Sequence, residues 1–229
     1  ASKALIRDFG EIEKLQVSSK GPSDFVSNAD LKAEKIIIEE LKKARPKFSI
    51  ISEEDGSETN KDKNNTWIID PIDGTTNFLH GIPHFAISIA LRTNNEIVSG
   101  LIYDPIKDEM FYAEKENGAF FNNQRIRVSK KNNLNTCLFG TGNQSTANID
   151  LLTRNSGSAA LDMAYVAAGR YDGYFQNNLN LWDIAAGIIL INEAGGALNK
   201  IDISKNSKIK VIASSTAINE KMLEKLKNF

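Results

Sequence analysis

The run Trp67-Ile68-Ile69-Asp70-Pro71-Ile72-Asp73-Gly74-Thr75-Thr76-Asn77-Phe78 sets two carboxylates and a Gly-Thr turn directly after an apolar stretch. It reads as a buried strand over 67–70 with acids at its end. A hard cation such as Mg²⁺ takes oxygen ligands in near-octahedral geometry, and Asp70 and Asp73 supply two. Pro71 fixes the backbone between them. Gly74 allows a sharp turn that brings main-chain N–H groups close to an anion. A divalent cation and a phosphate at one strand end is the chemistry this spacing suits.

Two further acidic sites stand out: Glu53-Glu54-Asp55, and Asp183 within Leu181-Trp182-Asp183-Ile184-Ala185-Ala186-Gly187. Taken singly, the triplet reads as a solvated turn and Asp183 as a helix N-cap. The histidines are His80 and His84 alone, so a multi-histidine zinc site is not expected, and both read as packing or hydrogen-bonding groups. The one cysteine, Cys137, sits in an apolar context and forms no intramolecular disulfide, which points to a reducing, cytoplasmic setting.

The elements that must position these residues follow from the pattern. The chain has 229 residues, 41% of them hydrophobic, and a formal net charge of −1, so no overall positive charge drives nucleic-acid binding. No apolar run reaches the roughly 20 residues of a membrane span. Helices are predicted over 4–16, 30–45 (capped by Asn28 or Asp30), 159–168, 183–194 and 217–227. Strands are predicted over 48–51, 67–70, 85–92, 96–103, 109–114, 119–128, 138–141 and 210–213. Residues 18–23 and 57–66 read as loops. The prediction is a layered α/β or α+β fold, in two halves of one compact unit, 1–130 and 131–229.

In combination, these segments resemble the inositol monophosphatase family, the Mg²⁺-dependent, lithium-sensitive sugar phosphatases, and most of all its bacterial SuhB-type members. The resemblance rests on Ser52-Glu53-Glu54, the motif from Trp67 to Pro83, Ser156-Gly157-Ser158-Ala159-Ala160-Leu161 and Trp182-Asp183-Ile184-Ala185-Ala186-Gly187. It implies an α-β-α-β-α layered sandwich, a homodimer, and two or three Mg²⁺ ions. It places Glu53, Asp70 and the carbonyl of Ile72 on one ion, and Asp70, Asp73 and Asp183 on a second. It implies that Thr75 with Glu53 orients the attacking water, and that Gly74 and Thr75 offer N–H groups to the phosphate. Ser158, Ala159, Gln176 and Asp183 would face the sugar, with Asp162 following on the same helix. Lys20 and Asp30 fall at supporting positions.

Two departures from the family are visible. Gln176 stands where the resemblance leads one to expect a Glu that accepts from sugar hydroxyls; an amide oxygen still accepts, without the charge. The segment 142–156 is short. The implied reaction is hydrolysis of a small phosphate monoester, inositol-1-phosphate first, by direct in-line attack of water. Alternatives are fructose-1,6-bisphosphatase activity, with Arg170 as a candidate second-phosphate ligand, and an interaction role with transcription antitermination factors or RNA. The exposed basic stretch Arg125, Arg127, Lys130 and Lys131 would carry the last.

Overall fold

A computed structural model describes residues 1–12, 17–21, 24–142, 150–204 and 207–227, with backbone alone over 17–21 and 24–26. Helix α1 (Ser2–Phe9) stops before Gly10, and residues 13–16 of the helix predicted over 4–16 lie outside the described residues. The stretch read as a loop around 18–23 contains a hairpin instead, β1 (Val17–Gly21) with β2 (Asp24–Ser27), running straight into helix α2 (Asn28–Ala44). The N-cap of α2 is Ser27, neither of the predicted residues: its Oγ accepts from the Ala29 N–H at 3.1 Å. Asp30 closes the reciprocal half of that cap, accepting from the Ser27 N–H at 2.8 Å.

An eight-stranded sheet follows: β3 (Phe48–Ser52), β4 (Gly56–Glu58), β5 (Asp62–Asp73), β6 (Ala86–Thr93), β7 (Glu96–Asp104), β8 (Glu109–Glu114), β9 (Gly118–Phe121) and β10 (Gln124–Arg125). Its order is β10-β9-β8-β7-β6-β5-β3-β4, antiparallel except where β3 pairs with β5. Two predictions are corrected. Residues 57–66 are largely strand: β5 begins at Asp62, whose carboxylate accepts from the Asn64 and Asn65 N–H groups. Residues 119–128 are two strands, because Asn122 and Asn123 take left-handed φ of 42° and 67° and fold a tight hairpin.

The short helix α3 (Thr75–Leu79) connects β5 toward β6. A five-stranded sheet completes the chain, in the order β12-β11-β13-β15-β14. Its strands are β11 (Phe139–Gly140), β12 (Thr153–Arg154), β13 (Gly173–Leu179), β14 (Gly196–Leu198) and β15 (Ile209–Ser215). Helices α4 (Ala159–Ala167) and α5 (Leu181–Glu193) lie between the two sheets, and α6 (Asn219–Lys225) packs outside the second.

The layers are therefore α1/α2, large sheet, α4/α5, small sheet, α6: the α-β-α-β-α sandwich. Three apolar cores fill the gaps, the middle one covering both faces of the α4/α5 layer. Leu5, Ala33, Ile37, Ile69 and Phe85 fill the first. Met163, Val166, Ile184, Leu190 and Val211 belong to the middle one. Cys137, Phe139, Phe175, Ile212 and Met222 fill the outer. Burying each large side chain of this kind contributes about 1.5–3 kcal/mol. Cys137 is fully buried, in keeping with a packing role.

Helix α5 is the keystone of the middle layer. It is apolar all round because both of its sides are covered. Gly100 on β7 lets it approach: a Cβ there would lie 2.6 Å from Ile189 Cγ2 and 2.8 Å from Ala186 Cα. At its far end the Glu193 carboxylate accepts from the N–H groups of Glu116 and Gly118, both at 2.8 Å, and so grips the β8–β9 turn. Gly100→Val should overpack this contact and lower unfolding free energy by about 1–3 kcal/mol. Urea denaturation checks it, and an unchanged midpoint would mean the helix is not pressed on the sheet.

Candidate active site

The two acids of the central motif reach one side of β5 through a bulge. In a regular strand, residues three apart point to opposite faces. Here Asp70 pairs with Ser88 and Asp73 with Ala86, so three steps on β5 oppose two on β6. The extra residue brings Asp70 and Asp73 into phase. Pro71, which has no N–H to offer the ladder, sits in the irregular stretch. The strand thus continues through Asp73 and does not end at Asp70 as predicted.

Each acid is anchored through one oxygen. The Ile72 N–H donates to Asp70 Oδ1 at 3.0 Å. Asp73 Oδ2 accepts from the Ser158 hydroxyl and, at 2.9 Å, from the Ala160 N–H. Ser158 is the N-cap of α4, so this carboxylate lies at the positive end of a helix. Asp183 does not cap α5; Asn180 does, and its N–H donates to Asp183 Oδ2 at 2.7 Å. The second oxygen of each acid is what a cation would take.

These residues share one cavity of about 540 Å³. Glu53, Asp70, Ile72, Asp73, Gly74 and Thr75 enter it from the first half of the chain. Ser158, Ala159, Gln176 and Asp183 enter from the second, with Asp162 beside them. Asp30 stands behind: Thr75 Oγ lies 3.3 Å from Asp30 Oδ1 and 3.0 Å from the Ile72 carbonyl. Lys20 falls on β1, and its side chain lies outside the described residues. Gly74 has φ +100°, and a Cβ there would press on the carbonyls of Gly157 and His84 at 3.2 Å each. Asn77 secures this corner by donating to the carbonyls of His84 (2.7 Å) and Ser156 (2.8 Å).

Several contributors were not singled out from the sequence. Glu34, buried on α2, accepts from the N–H groups of Glu54 (3.0 Å) and Asp55 (2.7 Å) and so holds the acidic turn. Its spacing from Ser27 and Asp30 on α2 was the available signal. Asn180 and Lys208 line the cavity, and Tyr174 donates to Gln176 from behind it. No local pattern marks them. Arg170 is drawn elsewhere: it makes two bonds to Glu109, 2.8 and 2.7 Å, and lies over the Phe121 and Tyr165 rings. It is not a cavity residue. His84 packs edge-on against Tyr165, and His80 Nδ1 lies 2.8 Å from the Thr76 carbonyl, as their packing reading expects.

The electrostatics ask for a cation. Burial, then the charges of Glu53, Asp73, Asp183 and Asp30, push the Asp70 carboxyl well above the usual range. Burial raises Asp73 to about 6 despite the Ser158 and Ala160 donors. Burial raises Asp183 to about 7, against the opposing Asn180 N–H and the Lys208 charge. Hard oxygen donors with excess negative charge fit Mg²⁺. Among the described residues no three such side chains close around one point; they line a common cavity.

Comparisons with known proteins give the family of the chain. Residues 1–228 match the inositol monophosphatase family. An inositol-1-monophosphatase of Rhizobium meliloti is 50% identical over 211 residues, covering 86% of this chain and 79% of the relative. A Xylella fastidiosa protein named Nus factor SuhB is 42% identical, over 86% of this chain and 76% of its own. The crystal structure of the extragenic suppressor protein SuhB from Bartonella henselae superposes with a TM-score of 0.92 at 46% identity, covering 99% of this chain and 93% of that one. The chain belongs to the inositol monophosphatase family and is a phosphoric monoester hydrolase.

The raised carboxyls fix a pH dependence. A group whose pKa rises from 3.8 when unfolded to about 6 or 7 when folded binds its proton more tightly in the folded state. Its contribution to metal-free stability is therefore full below about pH 4 and lost as pH climbs to about 7. A cation replaces those protons. The rise in melting temperature on adding Mg²⁺ should be larger at about pH 8 than at about pH 5. Equal increments at both would separate these carboxyls from metal binding.

Proposed function

We propose that this protein hydrolyses inositol-1-phosphate or a closely similar small phosphate monoester, with Mg²⁺ held by Glu53, Asp70, Asp73, Asp183 and the Ile72 carbonyl. The observation that carries the reading is the set of buried carboxylates, each anchored through one oxygen, around a single cavity. Such a set is destabilising when ionised and becomes favourable with a cation. Bound Mg²⁺ supplies charge for the phosphate oxygens and lowers the pKa of a water.

The chain's own groups do the positioning. Thr75 Oγ donates to the Ile72 carbonyl or to Asp30, which leaves lone pairs on Oγ to accept from the attacking water. Asp30 is held by the Ser27 hydroxyl (2.6 Å) and N–H, so the Thr75 hydroxyl is oriented from a fixed point. Glu53 shares the cavity and takes the water from its other side. The N–H groups of Gly74 and Thr75, at the start of α3, have no intrahelical acceptor and are offered to the phosphate. No side chain is needed as a covalent nucleophile, since the attacking group is water.

The test is phosphate release from inositol-1-phosphate, adenosine 3′,5′-bisphosphate and glycerol-2-phosphate, with and without Mg²⁺. Mg²⁺-dependent release, greatest from inositol-1-phosphate, supports the reading, and no release from any sinks it. Asp73→Asn should lower turnover by at least about 100-fold while circular dichroism stays unchanged. Normal turnover at saturating Mg²⁺ would remove Asp73 from the ligand set. Ser158→Ala, which strips one donor from Asp73, should weaken the apparent Mg²⁺ affinity about 10- to 100-fold. Titration of activity against Mg²⁺ reads it, and an unshifted midpoint would assign Ser158 to capping α4 alone.

A further inference from the structure

We propose that Glu34 is a positioning residue for the metal site: by holding the backbone of the 53–55 turn it sets the aim of the Glu53 carboxylate, and with it the affinity for Mg²⁺. This rests on the reading of Glu53 as a metal ligand above and adds a residue that reaches the ion only through another.

Glu34 is costly where it stands. It lies inside α2 and is 1% exposed. Asp30, one helical turn before it, is buried as well. Like charges four apart on a helix repel. A buried carboxylate also needs partners to offset its lost hydration. Glu34 takes them from another element: Oε2 accepts from the Glu54 N–H at 3.0 Å and Oε1 from the Asp55 N–H at 2.7 Å. Both oxygens are engaged, so the turn is pinned at two points.

Those two N–H groups directly follow Glu53. The N–H of Glu53 itself donates to the Ile69 carbonyl at 3.2 Å. Ile69 precedes Asp70 on β5. The backbone of Glu53 is therefore fixed on one side by the strand that carries Asp70, and on the other by α2. What remains free to Glu53 is its side-chain torsions, and the residue lines the cavity. Folding alone does not ask for this clamp, since Asp55 is exposed and water can serve its N–H.

The same helix holds the other group placed at the attacking water. Thr75 Oγ lies 3.3 Å from Asp30 Oδ1. Residues four apart share one face of a helix. One face of α2 thus orients Thr75 through Asp30 and Glu53 through Glu34, at a spacing set by one helical turn. Mg²⁺ demands near-ideal octahedral geometry, so a ligand already held in place binds it more tightly than one that must be gathered.

The test reads Mg²⁺ affinity by isothermal titration calorimetry without substrate, beside the urea midpoint and Mg²⁺-dependent phosphate release from inositol-1-phosphate. The proteins are the parent, Glu34→Gln, Glu53→Gln, the double variant, and Ile37→Val as a stability control on the same helix. A Gln at position 34 offers one acceptor oxygen to two N–H groups. Glu34→Gln should weaken Mg²⁺ binding about tenfold. In the Glu53→Gln background the same change should cost less than about twofold, because an effect made through Glu53 disappears with it. Ile37→Val should lower the urea midpoint and leave the affinity unchanged. Glu34→Met, which keeps the buried volume without the charge, is the second variant, and the same loss of affinity is expected of it. Unchanged affinity in both Glu34 variants, or an equal loss in the two backgrounds, would overturn the positioning role and leave the phosphatase reading standing. A parent protein that neither binds Mg²⁺ nor releases phosphate would overturn that reading, and this role with it.

Discussion

Asp70 feels the negative charge of Glu53, Asp73, Asp183 and Asp30 from within a site where burial already disfavours ionisation. That repulsion is the constraint to which the rest of the molecule answers. Carboxylates left to themselves in a dry cavity would turn toward solvent or protonate. Here each is tied to a donor belonging to a rigid element: a strand N–H for Asp70, the first turn of α4 for Asp73, the first turn of α5 for Asp183, and the Ser27 cap of α2 for Asp30. The chain keeps the charges together by tying each acid to a donor on a rigid element.

The five-layer architecture makes that possible. The helices α2, α3, α4 and α5 all start at the same region, so their positive ends converge where negative charge is gathered. The two sheets supply the spacing between them. The large sheet contributes the bulge that brings Asp70 and Asp73 into phase, and the small sheet contributes Gln176 through β13.

Much of this was legible in the residues. The metal-ligand candidates and the phosphate turn stood in compact motifs, because a strand-end site draws its groups from neighbouring positions. The helices over α2, α4 and α5 were marked by apolar content, while the residues read as caps of α2 and α5 lie one or more positions past the true caps, Ser27 and Asn180. Strand β13 was not marked: Asn177 and Asn178 break its pattern, and Asn178 takes φ +62°. The polar start of β5 hid a strand that is held by Asp62 accepting from its own neighbours. Lys208 and Tyr174 were out of reach because each acts through a partner distant from any motif, or through a hydroxyl aimed from the core. A sequence records which groups a wall contains; it does not record which end of an amide faces inward.

Helix α5 works as a strut with a load at each end. Its 13 residues span about 20 Å. One end carries Asp183 into the cavity, and the other clasps the β8–β9 turn through Glu193. Gly100 presses its middle against the sheet. A strut pinned at its midpoint turns a sideways shift at one tip into an opposite shift at the other. The hairpin on the far side of the molecule therefore shares in aiming an acid it never touches.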